Sequence, residues 1–271
     1  LSLGAHQEGG VSNFEIHEAF ISSDRLFPGT SFRGGQFFLG IGRLNQFHQH
    51  DWPFISTPLV HQTFFDKEGL LDSGIELSNL LPLPFYADLT VGVTNGFTYG
   101  HSHDEGKKPK VPTHYLHLKS FFTLLGADHQ PGFSYISRKS STGELRRLYG
   151  IDLTSKIKRA KHTDFLCQSE IWQQSLKHKS EDEERSLGFY VYPQFGFQSG
   201  FEVGVRYDYL TVLSLKDIQD KKIDNLQHAV VPTVTYRPSE FSIFRLAYSH
   251  EEKTMGQTTQ KNQSVQIQSV F

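Results

Sequence analysis

The chain has 271 residues, of which 37% are hydrophobic and 21% charged, and its formal net charge is -2. This composition excludes wholesale disorder, and the near-zero charge argues against the basic surface that a nucleic-acid partner requires. A single cysteine excludes internal disulfides, and no apolar run approaches the ~18 residues of a membrane-spanning helix.

Apolar and polar residues alternate along most of the chain, which is the two-residue period of β-strands. The clearest case is 201–208, FEVGVRYD, where odd positions are apolar and even positions are glycine or charged. Successive side chains point to opposite faces of a strand, so this segment has one apolar and one polar face. Thirteen strands are predicted, at 13–22, 31–42, 70–79, 86–96, 114–124, 131–138, 146–155, 165–174, 187–197, 201–209, 228–237, 241–249 and 263–271.

The links between these strands alternate in length, as do the short periplasmic turns and long extracellular loops of outer-membrane barrels. Two links fit the alternation less well, because 139–145 is short for a loop and 156–164 is long for a turn. The short links are predicted at 24–30, 80–85, 125–130, 198–200 and 238–240. The long links are predicted at 45–69, 97–113, 175–186, 210–227 and 251–262.

A soluble β-sandwich would also alternate, but it would bury its apolar faces in a core. Here the polar faces carry glycine and both charge signs, as a water-filled lumen would. We therefore expect residues 1–271 to form a single all-β domain, an antiparallel transmembrane β-barrel of about 12–14 or more strands. Because single-chain bacterial barrels have even strand numbers, the odd count predicts that 1–11 is a loop and that sequence is missing upstream.

The final residues, VQIQSVF at 265–271, resemble the last strand of bacterial outer-membrane barrels, which ends in an aromatic residue recognised by the barrel assembly machinery. That resemblance implies that Phe271 is an assembly signal. The stretch GQFFLGIGRLNQFHQHDWPF at 35–54, followed by PLV at 58–60 and GLLDSG at 69–74, resembles a family of Gram-negative outer-membrane proteins. Its members are described as porin-like, phosphate-selective-porin-like or zinc-regulated TonB-dependent receptor-like.

The family resemblance is densest over 30–100 and implies a location in the bacterial outer membrane, with outer-membrane lipid and the barrel assembly machinery as partners. A receptor of this kind would carry a plug domain and a TonB box, and neither is recognisable in the sequence. A chain of 271 residues is also too short for a 22-stranded receptor. The resemblance therefore implies location more strongly than substrate.

The function expected of such a barrel is porin-like, passive passage of small solutes or ions, with no required cofactor. Charged rings along a pore set ion preference, but mixed signs leave the selectivity open, and opposite charges can also pair across the lumen. The predicted pore-lining residues are Glu15, His17, Arg33, Glu76, Lys119, Glu170, Glu202, Arg206, Asp208 and Arg245.

The pattern His-x-His-Asp occurs twice in the predicted external loops, and alternate residues of an extended segment lie on one side. Imidazole with a nearby carboxylate suits zinc, so the alternative function is a surface barrel that binds zinc or another transition metal and assists its uptake. The competing interpretation is that these histidines are simply solvated. The metal-ligand candidates are His48, His50 and Asp51 in the first loop, and His101, His103 and Asp104 in the second.

The predicted loop 45–69 contains Trp52, Phe54, Phe64 and Phe65, which is too apolar for a freely solvated loop. It could fold into the barrel as a constriction, cap the mouth from outside, or pack as an aromatic cluster on the rim. No Gly-x-Ser-x-Gly or His-Glu-x-x-His motif occurs, and the sequence is not expected to be that of an enzyme.

Overall fold

The computed structural model describes residues 2–8, 11–65, 69–96, 111–139, 144–159, 162–178, 183–214 and 225–270. Within these ranges the chain forms fourteen strands and one short α-helix, α1. No helix in the described part is long and apolar enough to span a membrane. In chain order the elements are β1 Ser2–Glu8, β2 Val11–Phe27, β3 Thr30–Phe38, α1 Leu59–Phe64, β4 Leu71–Leu80, β5 Tyr86–Thr94, β6 Thr113–Leu124, β7 Ala127–Lys139, β8 Leu145–Arg159, β9 His162–Lys177, β10 Glu183–Gly196, β11 Phe201–Val212, β12 Asn225–Ser239, β13 Ser242–Met255 and β14 Thr258–Val270.

The described strands form one antiparallel sheet in which each strand pairs with its neighbours in sequence, from β1 through β14. This is the up-and-down order of an outer-membrane barrel, and it confirms the predicted fold class. The prediction that 1–11 is a loop is wrong, because Ser2–Glu8 pairs with β2, as in Ala5 opposite Phe14. That segment has no clear apolar alternation, so only its backbone pairing identifies it as a strand.

Two predicted links are also wrong, because polar residues continue the strands beyond the region where they were expected to end. Thr258 lies directly opposite Met255, so the predicted loop 251–262 is a hairpin with a tight turn. Likewise His162 lies opposite Arg159, which leaves only two residues of the predicted link 156–164 between β8 and β9. Charged residues gave both places the composition of a loop, but in the structure these residues continue the hydrogen-bonded ladder of the strands.

The two-faced character of the strands is confirmed in β11. Val203 and Val205 keep 46% and 41% of their surface exposed, whereas Arg206 and Asp208 keep only 2% and 1%. Their partners agree, since Val203 lies opposite Val234 of β12, which is 42% exposed. The exposed apolar face therefore points outward, and the polar face points into the interior.

The described part of the link between β3 and β4, residues 39–65 and 69–70, folds across the inner face of the sheet and is called here the inward segment. It contains α1 and a short 3₁₀ turn at Gln49–Asp51. Pro58 has an extended backbone and immediately precedes α1. Within the helix, the hydroxyl of Thr63 donates a hydrogen bond to the carbonyl oxygen of Leu59 at 2.9 Å. Hydrogen bonds from the segment reach β7 and β13, so the segment crosses much of the interior.

Several inner-face glycines make room for aromatic rings of the neighbouring strand. Gly92 and Gly150 lie directly opposite Tyr115 and Trp172, and a Cβ atom at either glycine would fall within 2.1 Å or 2.4 Å of the facing ring. Substituting these glycines would require the rings to move, and dense interiors resist such movement. These glycines therefore accommodate a packed interior, although the sequence pattern alone was equally compatible with an open lumen.

Candidate functional site

The interior of the barrel contains two different regions. In the packed region, apolar residues of the inward segment meet aromatic and aliphatic side chains from the inner faces of β6 to β10. The polar cleft lies between the first part of the inward segment and β2 to β6. The packed region consists of Leu39, Ile41, Leu44, Trp52, Phe54, Val60, Phe64, Phe65, Leu70, Tyr115, Ile136, Leu148, Trp172, Tyr190 and Tyr192.

Glu170 of β9 is the polar centre of the packed region and is 1% exposed. Its carboxylate accepts hydrogen bonds from the backbone N–H of Leu44 at 2.8 Å, the indole N–H of Trp172 at 2.9 Å and the hydroxyl of Tyr190 at 3.1 Å. His61 Nε2 of α1 lies 3.2 Å from the same group without forming a hydrogen bond. A buried carboxylate is tolerated only with such partners, so Glu170 fixes the segment to the wall.

Arg206 and Asp208 of β11 form a second attachment. The guanidinium lies 2.9 Å and 3.0 Å from the two carboxylate oxygens, and Nη2 also donates to the hydroxyl of Ser56 at 3.0 Å. The same guanidinium stacks over the ring of Phe54, 4.5 Å from its centroid. A charged pair with these contacts binds the inward segment rather than facing an open pore.

Two further contacts attach the middle of the inward segment to the wall. Tyr192 of β10 donates its hydroxyl hydrogen to the carbonyl oxygen of Pro53 at 3.2 Å. Arg245 of β13 donates to the carbonyl of His50 at 3.3 Å. The attachments therefore span the wall from β9 to β13, and the segment is placed inside the barrel rather than on its rim.

The polar cleft has a volume of about 490 Å³ and is lined by charged side chains, hydroxyl groups and one amide. The Arg33 guanidinium lies 2.8 Å from Glu76 at its edge. Glu76 also accepts from the backbone N–H of Gly40 at 2.9 Å and the hydroxyl of Tyr115 at 2.7 Å. The cleft residues are Phe20, Ser22, Ser23, Asp24, Ser31, Phe32, Arg33, Gly40, Gln46, Glu76, Ser78, Thr90 and Lys119.

The predicted pore-lining residues fall into four groups. Arg33, Glu76 and Lys119 line the polar cleft. Glu170, Arg206, Asp208 and Arg245 are buried by the inward segment, and Glu202 pairs with Arg237 at 3.1 Å. The side chains of Glu15 and His17 lie outside the described residues, although both positions belong to β2.

The first His-x-His-Asp motif occurs at the 3₁₀ turn of the inward segment. His48 Nε2 lies 3.0 Å from Glu18, and its ring stacks on that of His50 with centroids 5.4 Å apart. His50 lies 3.6 Å from Asp51. Among the described residues, no group of three or more His, Cys, Asp or Glu side chains is arranged to hold a metal.

The second motif, His101, His103 and Asp104, lies outside the described residues, as does Phe271. The proposed meeting of the two histidine loops and the terminal assembly signal therefore stay predictions.

A buried Ser–His–Asp grouping occurs in the wall at β6 to β8. His117 Nδ1 lies 2.7 Å from the hydroxyl of Ser134 and 4.0 Å from Asp152. In a catalytic triad the serine and the carboxylate bond to different ring nitrogens, but here both face Nδ1. The Ser134 oxygen also accepts the N–H of Gly42 at 2.9 Å, so the group supports the inward segment.

Sequence reasoning missed the polar partners of the packed region, of which His61 and Tyr190 are examples. The one available signal was the aromatic content of the loop, and it left three placements open. Gln46 lines the cleft, but it lies in no sequence pattern that would have marked it as a functional residue. These residues become neighbours only through the path of the inward segment.

No protein-family model matches the chain. An uncharacterized protein of Aquifex aeolicus (strain VF5) is 26% identical over 262 residues, which cover 85% of this chain and 55% of that protein. The chain therefore spans about half the length of this relative. The specific families that the sequence resembles are not confirmed by these matches.

Solved structures decide the fold. The outer membrane channel DcaP of Acinetobacter baumannii superposes with a TM-score of 0.63 and 10% identity, over 98% of this chain and 76% of that one. The chain has a porin fold. The anion-selective porin of Comamonas acidovorans gives a TM-score of 0.60 at 8% identity, over 88% and 73% of the two chains. OmpT, an outer membrane protein of Vibrio cholerae, gives 0.54 at 10% identity, over 89% and 74%.

The porin-fold neighbours are outer-membrane proteins, and the exposed apolar face of this chain matches that environment. A strand with an apolar outer face and a polar inner face is the pattern of a barrel in lipid. The predicted location in the Gram-negative outer membrane is confirmed. The prediction that the chain is not an enzyme stays a prediction.

Proposed function

We propose that this protein is a passive channel for small solutes or ions and that they pass along the polar cleft. The observation that carries the proposal is the unequal filling of the interior. The inward segment packs against β6 to β10, but it leaves the cleft of about 490 Å³ beside β2 to β6. Binding sites for small molecules typically have volumes of ~300–1,000 Å³, so a small hydrated solute fits.

The lining of the cleft supports the same route. Hydroxyl groups such as those of Ser31 and Ser78, with the amide of Gln46, can replace water around a passing solute. In the neighbouring packed region the tyrosine hydroxyls are already bonded, to Glu76, Glu170 and the carbonyl of Pro53. Its aromatic rings are in direct contact, as for Phe65 and Trp172 at 4.6 Å between centroids. Solute passage therefore concentrates on one side of the inward segment.

The channel proposal involves transport without a catalytic step and without a required cofactor. Its expected partners are the transported solutes, outer-membrane lipid against the apolar outer face, and the barrel assembly machinery during insertion. Zinc binding by the two histidine loops remains a separate prediction, and the described contacts of His48 with Glu18 give it no additional support.

The test is site-directed blocking of current in planar lipid bilayers. In a Cys167→Ser background, a thiol-reactive bulky reagent on Ser31→Cys should reduce single-channel conductance, because Ser31 is exposed in the cleft. The matched control is Ser169→Cys, on the outward-facing register of β9 beside Ile171. Unchanged current after complete labelling of Ser31→Cys, or no conductance from the folded protein, would contradict the proposal.

A further inference from the structure

The polar cleft presents charges of both signs rather than a basic surface. Its lining contains two acidic residues, Asp24 and Glu76, and two basic residues, Arg33 and Lys119. The Arg33 charge is opposed directly by Glu76 at 2.8 Å. The lining therefore has no formal net charge, and it concentrates neither anions nor cations.

The arrangement around Lys119 adds to this balance. In the register of β5 and β6, Lys119 lies directly opposite Asp88. Asp88 also lies 3.5 Å from the hydroxyl of Thr90, which lines the cleft. Anion and phosphate pores are lined by rings of Arg or Lys. In this cleft Arg33 is paired with Glu76, and the strand position opposite Lys119 is an aspartate, so the lining is not such a ring.

Hydroxyl groups form the largest class of side chains in the cleft: Ser22, Ser23, Ser31, Ser78 and Thr90. A hydroxyl both donates and accepts hydrogen bonds, so it matches the hydroxyls of a solute in either sense. The hydroxyls of Ser78 and Thr90 are linked at 2.7 Å, and that of Thr90 also donates to Asp88 at 3.5 Å, so this pair keeps capacity to accept hydrogen bonds. Phe20 and Phe32 add apolar surface beside them.

We infer that the preferred solutes are small, uncharged and hydroxyl-rich, as small sugars are, rather than phosphate-like anions. The inference rests on the proposed channel function and adds a substrate class to it. Its basis is the combination of a charge-balanced lining, hydroxyl groups and a cleft of suitable volume. It also separates this protein from the phosphate-selective group that the sequence resembles.

The test uses liposomes and planar bilayers containing the full chain. Labelled arabinose should enter faster than labelled inorganic phosphate, and the potassium-to-chloride permeability ratio should lie within about twofold of unity. Faster phosphate entry, or a strong preference for chloride or for potassium, would overturn the inference while leaving the channel intact. The absence of flux for every solute would instead reject the channel, and the inference with it.

Charge variants sharpen the result. Lys119→Gln should shift the permeability ratio towards potassium, Asp24→Asn should shift it towards chloride, and the double variant should return near the wild-type ratio. The matched control Lys139→Gln, exposed at the end of β7, should leave the ratio unchanged. Unchanged ratios in both single variants would show that ions do not pass this lining, which overturns the inference.

The hydroxyl contribution has a separate readout. A Ser22→Ala/Ser31→Ala double variant should slow arabinose entry severalfold while leaving the potassium-to-chloride ratio unchanged, because only hydrogen bonding to the solute is removed. Equal slowing of arabinose and of potassium chloride would indicate a change in pore dimensions and would count against the assigned substrate class.

Discussion

Glu170 in the packed region and Glu76 beside the polar cleft perform a similar task in different surroundings. Each carboxylate accepts a backbone N–H of the inward segment, from Leu44 at 2.8 Å and from Gly40 at 2.9 Å. The remaining partners of Glu170 are aromatic groups and an imidazole, and they exclude water. Those of Glu76 include Arg33, whose side chain is 24% exposed.

This difference separates anchoring from the proposed transport. Aromatic neighbours of an anchored carboxylate produce a sealed contact, whereas an arginine and surrounding hydroxyls produce a contact that borders water. One inward segment can therefore be held rigidly on one side and border the proposed solute path on the other. The comparison predicts that substitutions in the packed region will affect stability more than conductance. Equivalent substitutions beside the cleft are expected to affect conductance more than stability.

The largest expected effect is that of Glu170→Ala. It removes the shared acceptor of three hydrogen bonds and leaves buried partners unsatisfied, which should cost about 3–5 kcal/mol of unfolding free energy. Urea unfolding followed by tryptophan fluorescence is suited to the measurement, because both tryptophans, Trp52 and Trp172, belong to the packed region.

Glu76→Ala is the matched comparison for that experiment. Its partner Arg33 can regain hydration from the cleft, so we expect a smaller loss, of about 1–3 kcal/mol, together with altered ion selectivity. Glu170→Gln should recover part of the stability because it retains one acceptor oxygen. Equal losses for the two alanine variants, with equal changes in conductance, would remove the distinction between the regions.

The second prediction concerns the outer face. Val203→Arg should destabilise the barrel by about 2–4 kcal/mol, because Val203 is 46% exposed on the face directed to lipid. Ser31→Arg places the same charge in the cleft and should cost much less, while reducing conductance. Refolding into liposomes at increasing urea measures both, and comparable losses would contradict the assignment of faces. Gly204 would be an unsuitable control, since a Cβ there would fall 2.5 Å from the Tyr192 ring.

Gly150→Ala is expected to cost less than Val203→Arg. The added methyl group would lie 2.4 Å from the Trp172 ring, so the ring must shift, at a cost of about 1–3 kcal/mol and with an altered fluorescence spectrum. Gly126→Ala in the turn between β6 and β7 has no atom within 4 Å to displace, although its φ of +76° also disfavours alanine. An identical tryptophan spectrum in the two variants would contradict the tight packing of Trp172.

Much of the sheet could be predicted because the alternation of a strand is a local property. Val203 and Arg206 follow the same period that their neighbours follow, and the structure places them on opposite faces. The ends of the strands were less predictable. Residues such as Lys156 and Glu252 have loop-like composition, yet backbone pairing with the next strand, opposite Leu166 and Lys261, keeps them extended.

The interior could not be derived in the same way. The aromatic content of 45–69 showed that the loop must bury surface, but it did not show against what. The decisive contacts join residues far apart in sequence, as in Gly42 with Ser134 and Leu44 with Glu170. The sequence shows that the inner faces carry charges of both signs. It does not show which charged residues lie in the packed region and which line the cleft, because that depends on these distant contacts.

The contacts of the inward segment also have a consequence for the order of assembly. Neighbouring strands pair with each other, so the sheet can grow one hairpin at a time. Ser56, in contrast, finds its partner Arg206 only 150 residues later, and His50 meets Arg245 after 195 residues. Because contacts of large sequence separation carry a larger loop-closure cost and form slowly, we expect the segment to dock last. A newly inserted barrel would therefore pass through an early stage with an unfilled interior, and its permeability would fall as Trp52 becomes buried.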